Sequence, residues 1–180
     1  FQIYNGQVLT DAAKYMNSKG GVVVAAAGNT GVYENYADNP YIISVGASES
    51  SDVIASFSSF GPYVDFAAPG VNIYTTSNSG YNTYASGTSL ASPILAGAAA
   101  LVISANPTAT PDQVYNALKL SAVDLGTAGR DDYYGWGRIN VNAAINNIKN
   151  ITQVIDTVPP TVSIASPSNS TTVNSAFTVT

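Results

Sequence analysis

Between Asp65 and Asp112 the chain carries no charged residue. A folded surface rarely runs so long without charge, so part of this stretch is expected at the centre of the fold. Residues 89–104 are the candidate. Leu90, Ala91, Ile94, Leu95, Ala98, Ala99, Leu101 and Val102 put apolar groups on every side of a helix, which predicts one buried all round. Pro93 fits only within the first turn or so of such a helix, where backbone N–H groups have no intrahelical partner. Gly97 and the alanines let neighbouring elements approach closely.

Helices and short apolar strands surround that segment. Val8, Leu9, Ala12, Ala13 and Met16 recur at helical spacing over residues 7–18, and Lys19-Gly20-Gly21 supplies a basic last turn and a glycine stop. Residues 22–27 form a continuous apolar run with a β-branched start, ending in Gly28-Asn29. That pattern predicts a strand buried on both faces, hence a parallel sheet. Residues 41–47 read as a second such strand. Residues 65–68 and 71–76 are shorter candidates, and Ser79-Gly80 suits a hairpin leading into 81–84. Thr110-Pro111-Asp112-Gln113 opens another helix, with Thr110 as N-cap, proline at N1 and glutamine at N3. A last helix is expected over 141–148. The fold class is α/β with a parallel sheet.

The composition changes near residue 151. Asp156-Thr157-Val158-Pro159-Pro160 predicts an extended linker, and residues 161–164 and 177–180 alternate like strands around a turn at Ser166-Pro167-Ser168-Asn169. Two units are therefore expected: the α/β part at 1–150, and a linker with the start of a β-sandwich-like module at 151–180.

Totals exclude several kinds of chemistry. Charged residues make up 9% of the chain, against roughly 25% in an ordinary soluble domain, so Ser, Thr, Asn and Tyr must solvate it. That composition reads as a secreted or cell-surface protein. With 11 acids against 6 bases, the net charge of −5 leaves no basic cluster for nucleic acid. No uninterrupted apolar run approaches a membrane span. There is no cysteine, hence no disulfide and no thiolate nucleophile or ligand. There is no histidine either, so histidine-dependent catalysis needs a residue from outside these 180.

Two short segments could carry chemistry. In Gly87-Thr88-Ser89-Leu90-Ala91-Ser92-Pro93, a glycine permits a tight turn and a serine follows at the start of the apolar helix. The free N–H groups and dipole of a helix start stabilise negative charge beside that oxygen. A serine there is more commonly an N-cap, and the local pattern leaves both readings open. Gly28-Asn29 ends a predicted parallel strand, where α/β sheets build their sites, and an Asn amide can donate to an oxyanion. An asparagine in an ordinary turn is the alternative.

Together these segments resemble the subtilisin-like peptidases, the subtilases. Val-Val-Val-Ala-Ala-Ala-Gly-Asn, ending at Asn29, is similar to the family's oxyanion-asparagine strand. Gly-Thr-Ser-Leu-Ala-Ser-Pro is similar to its nucleophile motif, which more often has Met where Leu90 stands. Ser56-Phe57-Ser58-Ser59-Phe60-Gly61, Ala67-Ala68-Pro69-Gly70 and Tyr134-Gly135-Trp136-Gly137-Arg138-Ile139-Asn140 follow in the family's order, and the resemblance covers residues 1–148. It implies a serine endopeptidase in which Ser89 attacks the scissile carbonyl while Asn29 and the Ser89 N–H hold the oxyanion. It also implies that Ala26, Gly28 and Thr30 line the primary specificity pocket. As Ala, Gly and an uncharged Thr, they suggest a roomy, uncharged one. Extended protein or peptide substrates would pair as added strands. A structural Ca²⁺ is implied at the carbonyls of Ala37, Asn39 and Ile42.

The chain departs from the family pattern in two places. Ile94-Leu95 stands where the family commonly has His-Val after the motif's proline, a change expected to affect packing only. The triad His and Asp come from segments that precede anything present, so Phe1 is expected to enter the domain after both. Asp11 and Asp38 lack the triad motif context and read as solvated surface residues. The N-terminal half of the same domain is then a required partner, and the 180 residues by themselves are expected to be inactive. A catalytically inactive binding or surface-display module is the other reading, since the tail would also suit adhesion.

Overall fold

The computed structural model describes residues 6–78 and 80–150, and the expected linker and all-β module at 151–180 lie outside them. Helix α1 (Gln7–Ser18) matches its apolar period and leads into β1 (Val24–Ala26). Then come β2 (Ile43–Ser48), β3 (Phe66–Pro69), the pair β4 (Ile73–Thr76) and β5 (Asn82–Ala85), and helices α2 (Thr88–Ala105), α3 (Pro111–Ser121) and α4 (Val141–Asn150). Strands β1, β2 and β3 form a parallel sheet in that order, with Val24 opposite Ile43 and Val45 opposite Phe66. β4 and β5 make the expected antiparallel hairpin, with Tyr74 opposite Tyr84.

Every residue of β2 is buried, as a central parallel strand requires. β1 departs from expectation. Only three residues join the ladder and two of them are partly exposed. Its physical reason is position: among the described residues β1 pairs with β2 alone, so its other edge is open.

Helix α2 packs on the sheet through Ala91, Leu95, Ala98, Ala99 and Val102, and α3 and α4 pack beside it. Phe66, Leu95, Leu118 and Ile148 are fully buried in this core, each contributing about 1.5–3 kcal/mol. The helix is not buried all round, however. Leu101 is 55% exposed, and Ala96, Gly97 and Ala100 are open as well, because the described elements cover only one side of it. By length and composition α2 would suffice to cross a membrane, although Ser92, Pro93 and Ser104 interrupt its apolar run. Pro93 lies in the second turn rather than the first, so its missing N–H leaves the Ser89 carbonyl without an intrahelical donor.

The start of α3 follows its sequence signature closely. Thr110 accepts from the Gln113 N–H, and the Gln113 side chain reaches back to the Thr110 N–H, closing a capping box behind Pro111. Further on, Gly135 takes a left-handed φ of 59° and lies so close to β3 that a Cβ would run into the Asp65 carbonyl. The next N–H, from Trp136, donates to that carbonyl at 2.7 Å. The glycine-rich segment thus docks directly on the sheet.

Candidate active site

The carboxyl end of β1 and the amino end of α2 meet although 59 positions separate the residues that join them. Asn29 Oδ1 accepts two hydrogen bonds from Thr88, from its N–H at 2.8 Å and from its hydroxyl at 2.9 Å. The Thr88 hydroxyl in turn accepts from the Gly28 N–H at 3.2 Å. Thr88 is fully buried, so this joint is shielded from water. With Oδ1 engaged twice, the Asn29 amide nitrogen is turned to the other side. A Cβ placed on Gly87 would stand 3.6 Å from Asn29 Nδ2 and 3.7 Å from the Ser89 nitrogen. Both N–H donors therefore border one small region of space, beside a glycine whose bare Cα leaves it open. Such a pair of fixed dipoles suits an oxygen that acquires negative charge.

Gly87, not Ser89, is the N-cap of α2, and the side chain that meets a free N–H at this helix end is that of Asn29. Ser89 stands at the second helical position with its side chain exposed. The capping alternative for Ser89 is thereby removed. Asn29 is likewise exposed and anchored across the fold, not merely turned on its own loop.

Ala26 ends β1 and Gly28 follows at φ 118°, while Thr30 is exposed. The Thr30 N–H donates to Ser59 Oγ at 3.1 Å, and the Ser59 N–H donates to the Gly28 carbonyl at 2.9 Å. Segment 28–30 is therefore held by the loop at Ser59. Asp11 and Asp38 are both exposed, as expected, and neither touches Ser89.

Ala37, Asn39 and Ile42 lie together along one cleft with Tyr63. Asn39 and Ile42 also border a cavity of about 250 Å³ into which Asp38, Asp65 and Asp112 face. Asp65, the acid that begins the charge-free stretch, is a buried member of this group. It is 3% exposed, accepting from the Ser44 N–H at 2.7 Å and from the Tyr115 hydroxyl at 2.9 Å. Burial pushes its carboxyl up to about 7; those two hydrogen bonds oppose the rise and the Asp38 charge adds to it. Its only sequence signal was an acid at the start of an apolar strand. Thr88 escaped notice as a positioning residue, since its partner Asn29 is remote in sequence.

The parallel sheet with its helices makes this an α/β domain of subtilisin-like architecture. A solved lanthipeptide protease shares it with a TM-score of 0.68 and 28% identity, over 76% of this chain and 54% of that one. The family model described as the subtilase family, Peptidase_S8, matches residues 4–137, and the chain belongs to that family. It is 44% identical to subtilisin DY of Bacillus licheniformis over 142 residues, which is 76% of this chain and 51% of the relative. It is 38% identical to the minor extracellular protease Epr of Bacillus subtilis (strain 168), over 77% of this chain and 22% of that protein. The chain thus spans about half or less of the length of these curated relatives.

Proposed function

We propose that the chain is the nucleophile-bearing part of a serine endopeptidase domain. Ser89 attacks the scissile carbonyl, and the oxyanion so formed accepts hydrogen bonds from Asn29 Nδ2 and the Ser89 N–H. The acyl-enzyme at Ser89 is then hydrolysed by water. The observation that carries this reading is the double anchoring of Asn29 Oδ1 by Thr88, which fixes the amide beside the amino end of α2 that bears Ser89. Ala26, Gly28 and Thr30 form one wall of the pocket for the residue before the cleaved bond. Substrates are proteins or extended peptides. The general base and its acid come from a preceding segment of the same domain, which also covers β1's open edge and the outer side of α2. Low charge density and the extracellular relative favour a secreted or cell-surface protein.

A serine-directed fluorophosphonate tests this in the protein that carries the whole domain. Labelling should map to Ser89 and vanish in Ser89→Ala. Labelling at another serine, or none at all, would sink the assignment and favour a binding module.

A structural calcium ion belongs to the same reading, at the carbonyls of Ala37, Asn39 and Ile42. The fit rests on Asp65, a buried carboxylate bordering the same cavity as Asn39 and Ile42. Hard oxygen donors of this kind suit calcium, and several carbonyls with few charges make a weak site. Among the described residues no cluster of three or more acidic, histidine or cysteine side chains offers a stronger one. Chelation should therefore lower the melting temperature of the whole domain by a few degrees, and Asp65→Asn should shrink that difference. An unchanged melting temperature on chelation would remove the ion from the account.

A further inference from the structure

Among the described residues Glu34 is the only carboxylate with a buried oxygen that no hydrogen-bond donor meets. Its backbone is firmly held. The Gly31 N–H donates to the Phe57 carbonyl at 2.8 Å, and the Glu34 N–H donates to the Phe60 carbonyl at 2.8 Å. The Tyr33 and Phe60 rings meet edge to face beside it, 5.8 Å between centroids. From this fixed loop the side chain returns to the wall formed by segment 28–30. Glu34 Oε1 accepts from Thr30 Oγ1 at 2.9 Å and from Ser59 Oγ at 3.2 Å. Oε2 is enclosed without a partner, and neither ion pair of the described residues involves this carboxylate.

A carboxylate oxygen that meets no donor keeps its acceptor capacity free, and a carboxylate attracts any cation that reaches it. Tyr63 reports the same environment. Its hydroxyl donates to the Ala27 carbonyl at 2.8 Å, and burial first, then the Glu34 charge, holds it protonated well above the usual tyrosine range. Glu34 thus stands beside segment 28–30, bonded to Thr30 and Ser59. Two hydroxyl groups and one carboxylate are too few oxygen ligands for calcium, which takes six to eight, and no second acid stands beside it. An ammonium or guanidinium group needs only one carboxylate.

We infer that Glu34 gives the primary specificity pocket a preference for lysine or arginine on the amino side of the scissile bond. This rests on the assignment of Ala26, Gly28 and Thr30 to that pocket. A long basic side chain in that pocket would bring its charge to the carboxylate edge that Thr30 now caps. The roomy, uncharged pocket read from Ala26, Gly28 and Thr30 alone acquires a negative end. The residue responsible lies four positions past Thr30, in a loop without a motif.

The test uses the protein that carries the whole domain and two peptidyl p-nitroanilides differing only in lysine against norleucine before the cleaved bond. These side chains share a four-carbon chain and differ in the terminal ammonium group. The unaltered protein should favour lysine in kcat/KM by about ten- to a hundredfold, the range for a charge-assisted hydrogen bond. Glu34→Gln, which keeps an acceptor for Thr30, should abolish that ratio, so that lysine and norleucine substrates are cleaved with similar kcat/KM. Equal rates for the two substrates in the unaltered protein overturn the inference, whether or not the variant folds. Binding of 4-aminobenzamidine to a Ser89→Ala protein provides a readout that needs no turnover. Affinity lost in Ser89→Ala with Glu34→Gln supports the inference, and unchanged affinity overturns it. Amidine binding that depends on Glu34, with no hydrolysis of any substrate by the unaltered protein, would instead overturn the catalytic reading.

Discussion

A polypeptide of these 180 residues, produced alone, is expected to hydrolyse no peptide substrate. Ser89 is in place at the second position of α2, but it has no base to take its proton, because the chain contains no histidine. In subtilisin itself, losing either the serine or the histidine costs about as much as losing all three triad members, around 2 × 10⁶ in kcat. The oxyanion donors that remain would supply only a residue of the full effect. Folding argues the same way. Val8 is 84% exposed, Met16 47% and Leu101 55%, so apolar sides of α1 and α2 stand open together with the edge of β1. An open parallel edge flanked by apolar surface invites pairing with other chains. Adding the preceding segment of the domain should therefore raise solubility and restore activity together. Steady hydrolysis by the 180 residues alone, abolished by Ser89→Ala, would refute this.

Those open faces also explain which parts of the fold were legible in the sequence. Elements set by local physics came out with nearly correct bounds. α1 was carried by its apolar period, α3 by its capping box, and the β4–β5 hairpin by its turn residues. Burial was less legible. The all-apolar composition of α2 predicts enclosure on every side, yet only its sheet-facing residues are enclosed, because the elements that would cover the rest are not among those described. The strand over residues 22–27 was over-extended for the same reason. At the site, Ser89 and Asn29 were visible through their motifs. The roles of Thr88 and Ser59 were not, because each acts through a side-chain hydrogen bond to a residue remote in sequence, and Glu34 reaches back four positions from a loop without a motif. The Thr88 hydroxyl reaches Asn29, and Ser59 and Glu34 both reach Thr30. Such contacts follow from tertiary packing and leave no period or spacing to read.

In the protein that carries the whole domain, Asn29→Ala should lower kcat by about 10²–10³ with KM nearly unchanged. The range is the one established for this kind of donor in subtilisin. The asymmetry between kcat and KM follows from when the hydrogen bond matters. A neutral carbonyl gains little from a second N–H donor, whereas the oxyanion of the tetrahedral intermediate gains much more, so the loss falls on the transition state. The anchoring by Thr88 makes the donor effective: two hydrogen bonds to Oδ1 fix the amide before substrate arrives, and no reorganisation is needed as charge develops. Removing the side chain leaves the Thr88 hydroxyl able to accept from the Gly28 N–H, so the joint between β1 and α2 should persist. Stability should fall by about 1–3 kcal/mol, because the buried Thr88 N–H loses its acceptor. Steady-state kinetics and thermal melting of the same preparation separate the two effects. A kcat within about threefold of the unaltered protein would show that Asn29 does not face the oxyanion. An equally large rise in KM would instead make it a residue that binds the ground state.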